Sequence, residues 1–196
     1  MQARRHAIVA RPWTWLRQVH GARVVEVDEP GAHAGAEADA AVTEHPDVVL
    51  CILTADCAPI SFTSPEGVRG VAHAGWKGLA DGVVAATVDA MRARGATSVE
   101  AVLGPCIHPS CYEFSPKDLD EVARRLGDHV RSTTADGRPA LDLPQAVRHE
   151  IERSGAVVAD TVGGCTACTR DEAGGWRWFS HRARGDEARQ ALVQWT

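Results

Sequence analysis

No stretch of the 196-residue chain approaches the roughly 18 consecutive apolar residues that a membrane-spanning helix needs, which excludes a transmembrane protein. No basic excess exists either. The formal charge is -5 with acids and bases interleaved, so there is no positive field for the phosphates of DNA or RNA. Internal repeats and low-complexity tracts are absent. The opening residues carry basic side chains but run into Arg11, Pro12 and Trp13 instead of a sustained apolar core and cleavage site, so a cytoplasmic protein is expected. The loop-rich frame of a disulfide-stapled protein is missing as well: the six cysteines sit among apolar, strand-like segments, and in a reducing compartment they raise the question of metal binding.

What is present suits one domain. A chain of this length, 44% hydrophobic, can bury a single substantial core. Strand-like runs occur at Arg23 to Val27, Val48 to Leu53, Pro59 to Thr63, Gly70 to His73, Val99 to Leu103 and Ala156 to Ala159. Several are continuously apolar, as strands covered on both faces are. A helix is predicted from Lys77 to Gly95. A second is capped by Ser115, opened by Pro116, striped by Leu119, Val122, Ala123 and Leu126, and stopped by Gly127. A third spans Pro144 to Arg153. Between the last two, residues 132–139 read as a polar loop. The expected class is mixed α/β, with strand order left open.

The chemistry concentrates where strands end. Thr54-Ala55-Asp56-Cys57 follows the buried run Val48 to Leu53 and places a thiol at its carboxyl end, while Gly70 to His73 places an imidazole at its own. If these two strands are sheet neighbours, Cys57 and His73 can share a metal ion. His20, followed by the flexible Gly21, is the best third ligand. Two imidazoles and a thiolate suit zinc and leave a position open for water or substrate. Taken singly, a buried cysteine serves as a small hydrophobe and a strand-end histidine as a hydrogen-bonding group, so spacing alone does not decide.

After His73, Gly75 and Gly78 flank Lys77 at a helix start, where free amides and a positive charge could hold a phosphate or carboxylate; the glycines could equally serve tight packing. Residues 103–114 crowd two prolines, two cysteines and His108 into a turn after a strand, as active-site loops do. Trp176 to Gly185 alternates aromatic rings with arginines, suited to stacking on a flat ring and pairing with anionic oxygens, or to an aromatic edge strand. Cys106, Cys111, Cys165 and Cys168 offer a competing four-cysteine zinc site or a redox pair.

Gln18-Val19-His20-Gly21, Ala38-Asp39-Ala40, Leu53-Thr54-Ala55-Asp56-Cys57, His73-Ala74-Gly75-Trp76-Lys77-Gly78, Leu103-Gly104-Pro105-Cys106-Ile107, Cys111-Tyr112-Glu113, Cys168-Thr169 and Phe179-Ser180-His181-Arg182 occur together and in order. In these the sequence resembles the bacterial laccase-domain family, historically named polyphenol oxidase and related to a human laccase-domain protein that acts on purine nucleosides. The resemblance implies an α/β (α+β) sandwich with mixed sheets flanked by helices, over a single domain 1–196 shortened at its N-terminus. It implies zinc on His20, Cys57 and His73. It also implies phosphorolysis of adenosine, inosine or methylthioadenosine to base and sugar phosphate, and deamination of adenosine. Asp56 and His108, beside Cys57 itself, are the candidate proton-transfer groups. Gly75, Lys77, Gly78 and Arg182 are the candidate anion contacts. Nucleoside and phosphate are then the partners, with the protein a monomer or homodimer.

The chain departs from the family in having only seventeen residues before Gln18, lysine at 77 where arginine is usual, and histidine at 108 where glycine is usual. Copper oxidation of phenols would need closely spaced His-x-His pairs for a trinuclear cluster, and the nine histidines are scattered; copper in the Cys/His site would be adventitious. Two further readings are a cysteine hydrolase acting on a peptidoglycan precursor through Cys57 and His73, and a non-catalytic nucleoside- or metal-binding module.

Overall fold

The structure is a computed structural model and describes residues 7–196; the basic segment 1–6, read above as carrying no secretion signal, lies outside the described residues. Three sheets and five helices are described. A three-stranded sheet is ordered β1 (Trp13–Trp15), β4 (Val49–Thr54), β11 (Gln190–Gln194). A six-stranded sheet is ordered β10 (Val157–Thr161), β7 (Glu100–Leu103), β5 (Ala58–Thr63), β6 (Arg69–Ala74), β3 (Ala40–Thr43), β2 (Val24–Glu26). β8 (Arg131–Thr133) and β9 (Pro139–Leu141) form a separate hairpin. Both larger sheets are mixed, with parallel outer pairs β10–β7, β2–β3 and β1–β4 among antiparallel ones.

Alternation along the strands builds three layers. In β4, Leu50 and Ile52 point toward the six-stranded sheet and meet Val25, Ala41 and Val71. Their neighbours Val49 and Cys51 face outward beneath Trp13. In β5, β6 and β3, the residues Ile60, Phe62, Ala72, Ala40 and Val42 face the opposite way, into the largest core, which the helices cover.

The helices are α1 (Trp76–Ala80), α2 (Val83–Ala93), α3 (Pro116–Leu126), α4 (Leu143–Arg153) and α5 (His181–Arg184). α3 forms as its punctuation predicts: the Ser115 hydroxyl accepts from the Asp118 amide at 3.1 Å, Pro116 opens the first turn, and Leu119, Val122, Ala123 and Leu126 are buried. In α4, Asp142 accepts from the Gln145 amide at 3.0 Å. Among the described residues no helix is long and apolar enough to cross a membrane.

Three expectations are corrected. The single helix from Lys77 to Gly95 is two, because Gly82 adopts φ 90°, a left-handed conformation that ends α1 and restarts the chain as α2. Residues 132–139 are not a plain loop; their ends are strands β8 and β9, joined by a turn in which Thr134 and Gly137 pair. The runs Val48 to Leu53 and Gly70 to His73 are not sheet neighbours, since β4 and β6 belong to different layers.

Candidate metal centre and pocket

Asp39 organises the centre. It is fully buried just before β3 and accepts four N–H donors: His20 N–H at 2.9 Å and His73 Nδ1 at 2.8 Å on Oδ1, Val19 N–H at 3.1 Å and Gly21 N–H at 2.8 Å on Oδ2. Burial pushes its carboxyl up, but the bonds from His73, Gly21 and Val19 outweigh this and hold it below the usual carboxylate range. Two consequences follow. The 19–21 backbone is wrapped on one carboxylate, with His20 at φ 61°, a conformation that costs a non-glycine residue about 1 kcal/mol or more. A carboxylate can only accept, so the His73 Nδ1 carries the hydrogen and its Nε2 is left to face the centre. The Gln18 side chain adds a clamp, donating to Leu53 O at 2.7 Å and accepting from Leu53 N–H at 2.9 Å at the end of β4.

Cys57 reaches His73 by a route other than the one expected. It lies one residue before β5, and β5 pairs antiparallel with β6 in the register Ala58↔Ala74 and Pro59↔His73, which brings the start of one strand beside the end of the other. Its Sγ is 3.7 Å from His20 Nε2, and the rings of His20 and His73 meet edge to face at 4.8 Å. The three ligand atoms all lie within 4.8 Å of one another. Burial would push the Cys57 thiol up, but His20 and His73 bring it down to about 6. Burial would push His73 down, but Asp39 and Cys57 bring it up to about 9. The site is therefore a thiolate flanked by two imidazoles, one backed by a carboxylate, and that donor set fits a borderline-soft divalent cation.

A cavity of about 510 Å³ opens over this centre, lined by His20, Cys57 and His73 together with Gln18, Asp56, Tyr112, His181, Arg182 and Arg189. Asp56 shapes its wall. At φ 96° it is again left-handed, and its carboxylate accepts from Thr166 Oγ1 at 2.7 Å, Ser180 Oγ at 2.6 Å and the Arg182 amide at 2.6 Å. These bonds tie the 166 turn and the start of α5 to the β4–β5 connection. The Arg182 guanidinium donates to Glu113 O at 2.9 Å and lies 4.9 Å from the Tyr112 ring. Burial, reinforced by the charge on Cys57, pushes the Tyr112 phenol up, so its hydroxyl stays a donor.

The candidates thus separate. His20, Cys57, His73, Asp56 and Arg182 converge on one cavity. Gly75 and Gly78 serve close approach: a Cβ on Gly75 would lie 2.7 Å from His20 Cδ2 and 3.0 Å from Cys57 Sγ, and one on Gly78 would lie 2.7 Å from Gly21 O. Lys77 is exposed, with its ammonium 5.5 Å from the Trp76 ring, and does not line the cavity. His108 also lies outside the lining; its imidazole is pushed down by burial, with Asp142 and Arg148 as its charged neighbours. The aromatic segment 176–180 forms no strand. Sequence reasoning missed Asp39 as a hub, and Tyr112, His181 and Arg189 as lining. Asp39, Tyr112 and His181 had a signal, their places in the motifs Ala38-Asp39-Ala40, Cys111-Tyr112-Glu113 and Phe179-Ser180-His181-Arg182, and Arg189 had none.

Comparison with known proteins gives a consistent picture. Residues 1–196 match the family model described as multi-copper polyphenol oxidoreductase laccase. A purine nucleoside phosphorylase of Xylella fastidiosa (strain Temecula1) is 37% identical over 188 residues, covering 92% of this chain and 71% of the relative. One of Streptomyces coelicolor is 37% identical over 185 residues, covering 92% and 74%. The crystal structure of YlmD from Geobacillus stearothermophilus superposes with a TM-score of 0.82 at 31% identity, over 98% of this chain and 77% of that one.

Proposed function

Since the chain belongs to the multi-copper polyphenol oxidoreductase laccase family, and relatives at this distance are named purine nucleoside phosphorylases, we propose that it is a zinc-dependent purine nucleoside phosphorylase. Its substrates are adenosine, inosine or methylthioadenosine with phosphate, and it also deaminates adenosine. The observation that carries this reading is the meeting of His20, Cys57 and His73 at the floor of a nucleoside-sized cavity whose wall carries Arg182 and Arg189.

His20, Cys57 and His73 hold the zinc, with Asp39 fixing the His73 tautomer. Held by these three residues, zinc would supply Lewis-acid chemistry beside the cavity. Arg182 and Arg189 bind the anionic oxygens of phosphate by charge-assisted hydrogen bonds. Tyr112, held protonated, donates a hydrogen bond to substrate, and its ring and Arg182 offer flat faces to a purine. Asp56, with its carboxylate already engaged by three donors, positions Arg182 and the 166 turn. The copper in the family's description is not carried over, because the sequence has no His-x-His pairs to build a cluster.

The thiolate–imidazolium pair of Cys57 and His73 favours a second reading, amide hydrolysis by a cysteine nucleophile. Metal analysis with nucleoside turnover separates them. The phosphorylase reading expects about one zinc at this centre, adenine from adenosine only when phosphate is present, inosine with or without phosphate, and a fall of at least about 100-fold in Cys57→Ala alongside loss of that zinc. Metal-free protein that releases no base from any of the three nucleosides overturns it.

A further inference from the structure

Cys111, Cys165 and Cys168 form a second convergence of ligand atoms, with their three sulfurs within 4.8 Å of one another. All three are free thiols. They come from two segments. Cys111 closes the short 3-10 turn Pro109–Cys111, and Cys165 and Cys168 bound the turn that follows β10. Backbone pairing docks those segments: Cys106 bridges Cys165, and the Thr166 amide donates to Cys106 O at 3.0 Å. Cys106 itself turns its buried thiol into the core and stays outside the cluster, so the four-cysteine zinc set considered from sequence is reduced to three.

Hydrogen-bond donors reach two of the three sulfurs, while burial and the neighbouring Cys165 and Cys111 push the Cys168 thiol up to about 12, so that the protons leave only as an ion replaces them. The His108 amide donates to Cys165 Sγ at 3.4 Å and the Ser110 hydroxyl to Cys111 Sγ at 3.8 Å, the kind of hydrogen bonding to sulfur that tunes metal-bound thiolates. The Arg184 guanidinium, itself paired with Asp186 at 3.0 Å, donates to Ala167 O at 2.9 Å and Thr166 O at 3.4 Å and so braces the same turn. Among the described residues, no histidine or carboxylate joins the group. Three thiolates around one ion at a metal–sulfur distance near 2.3 Å stand roughly 3.8 Å apart. The observed separations need close by no more than about 1 Å, and exposed Cys168 lies on a turn that can supply that movement.

We propose that Cys111, Cys165 and Cys168 are a second, thiol-only metal site that takes a soft, filled-shell cation, zinc or copper(I). Binding exchanges up to three thiol protons, released to solvent, for one ion. The ion staples the loop carrying Tyr112 to the turn carrying Thr166, whose hydroxyl holds Asp56, so occupancy stiffens one wall of the nucleoside cavity from behind. Nothing in this inference depends on the reaction assigned to that cavity.

The test loads reduced protein separately with zinc and with copper(I) and counts bound ion by mass spectrometry. Wild type is expected to bind about two equivalents of at least one ion, and Cys168→Ser and Cys57→Ala about one each, at the two different centres. Cys168 is exposed, so its serine variant retains the fold, as circular dichroism checks. Zinc-only loading and copper-only loading each support the site and name its ion. Equal counts in wild type and Cys168→Ser overturn it. So does a 2-Da mass loss, reporting a disulfide among these cysteines, in protein that takes up neither ion.

Discussion

Asp39 carries a charge in a place with no solvent, and four N–H groups keep it there. Asp39→Asn preserves the shape but loses the charge and keeps one acceptor oxygen, so its NH2 must face either the His20 and His73 donors or the Val19 and Gly21 donors. It is expected to weaken metal affinity about 10- to 100-fold, read by chelator competition, and to cost a few kcal/mol of stability, read by urea unfolding. An unchanged affinity would remove Asp39 from the centre. Cys57 gives a pH prediction. In metal-free protein it is a thiolate above about 6, while His73 stays protonated up to about 9. Alkylation of Cys57 by iodoacetamide should rise as pH climbs through 6 and level off by about pH 7.5, where a thiol of ordinary pKa would still be gaining rate. His73→Ala should shift the midpoint upward. The ligands were legible in the sequence because cysteine and histidine beside strand ends are chemically distinctive. Arg189 was not, since nothing in a surface arginine tells which cavity a distant segment will close.

At the scale of elements, α1 approaches the centre so closely that only glycine fits its cap. Gly75 has φ -75°, which alanine adopts freely, so Gly75→Ala tests contact and not backbone strain. Its Cβ would press on His20 and Cys57; loss of bound metal with the fold intact is the expected result, read by metal analysis and circular dichroism. The helix boundary at Gly82 was hidden because apolar spacing runs on through it, and a left-handed glycine looks the same in sequence as a helical one. The β8–β9 hairpin was hidden because its strands are three residues each and β8 has no apolar residue. Near it, the rings of His129 and His149 stack at 3.9 Å, and burial and His149 push His129 below its ordinary value of 6.5. A lowered histidine pKa means that the unfolded chain binds the proton more tightly. Stability is thus full above about 6.5 and falls as pH drops through the depressed value. Thermal melts between about pH 7.5 and 5 should show that slope in wild type and a shallower one in His129→Gln.

Across the whole molecule, two cores lie on opposite faces of one sheet. The smaller, between the sheets, depends on few side chains, with Leu50 and Ile52 fully buried in it. Leu50→Ala should cost about 2–5 kcal/mol in denaturant unfolding. A cost below about 1 kcal/mol would mean that the layers are not packed as described. This layering was not legible beforehand. Alternation shows that a strand has two buried faces but not which sheet it joins, and the pairing of β4 with β6 stood only as a condition for that reason. Only residues 55–57 separate β4 from β5, so the chain crosses from one sheet to the other in three residues, the last of them Cys57. The crossing acts as a rivet through both plates. Any slip of one sheet over the other pulls directly on Cys57, so the off-rate of the metal becomes a gauge of how often the layers breathe. Metal release and amide exchange along β4 should then accelerate together under mild denaturant, well before the molecule as a whole unfolds.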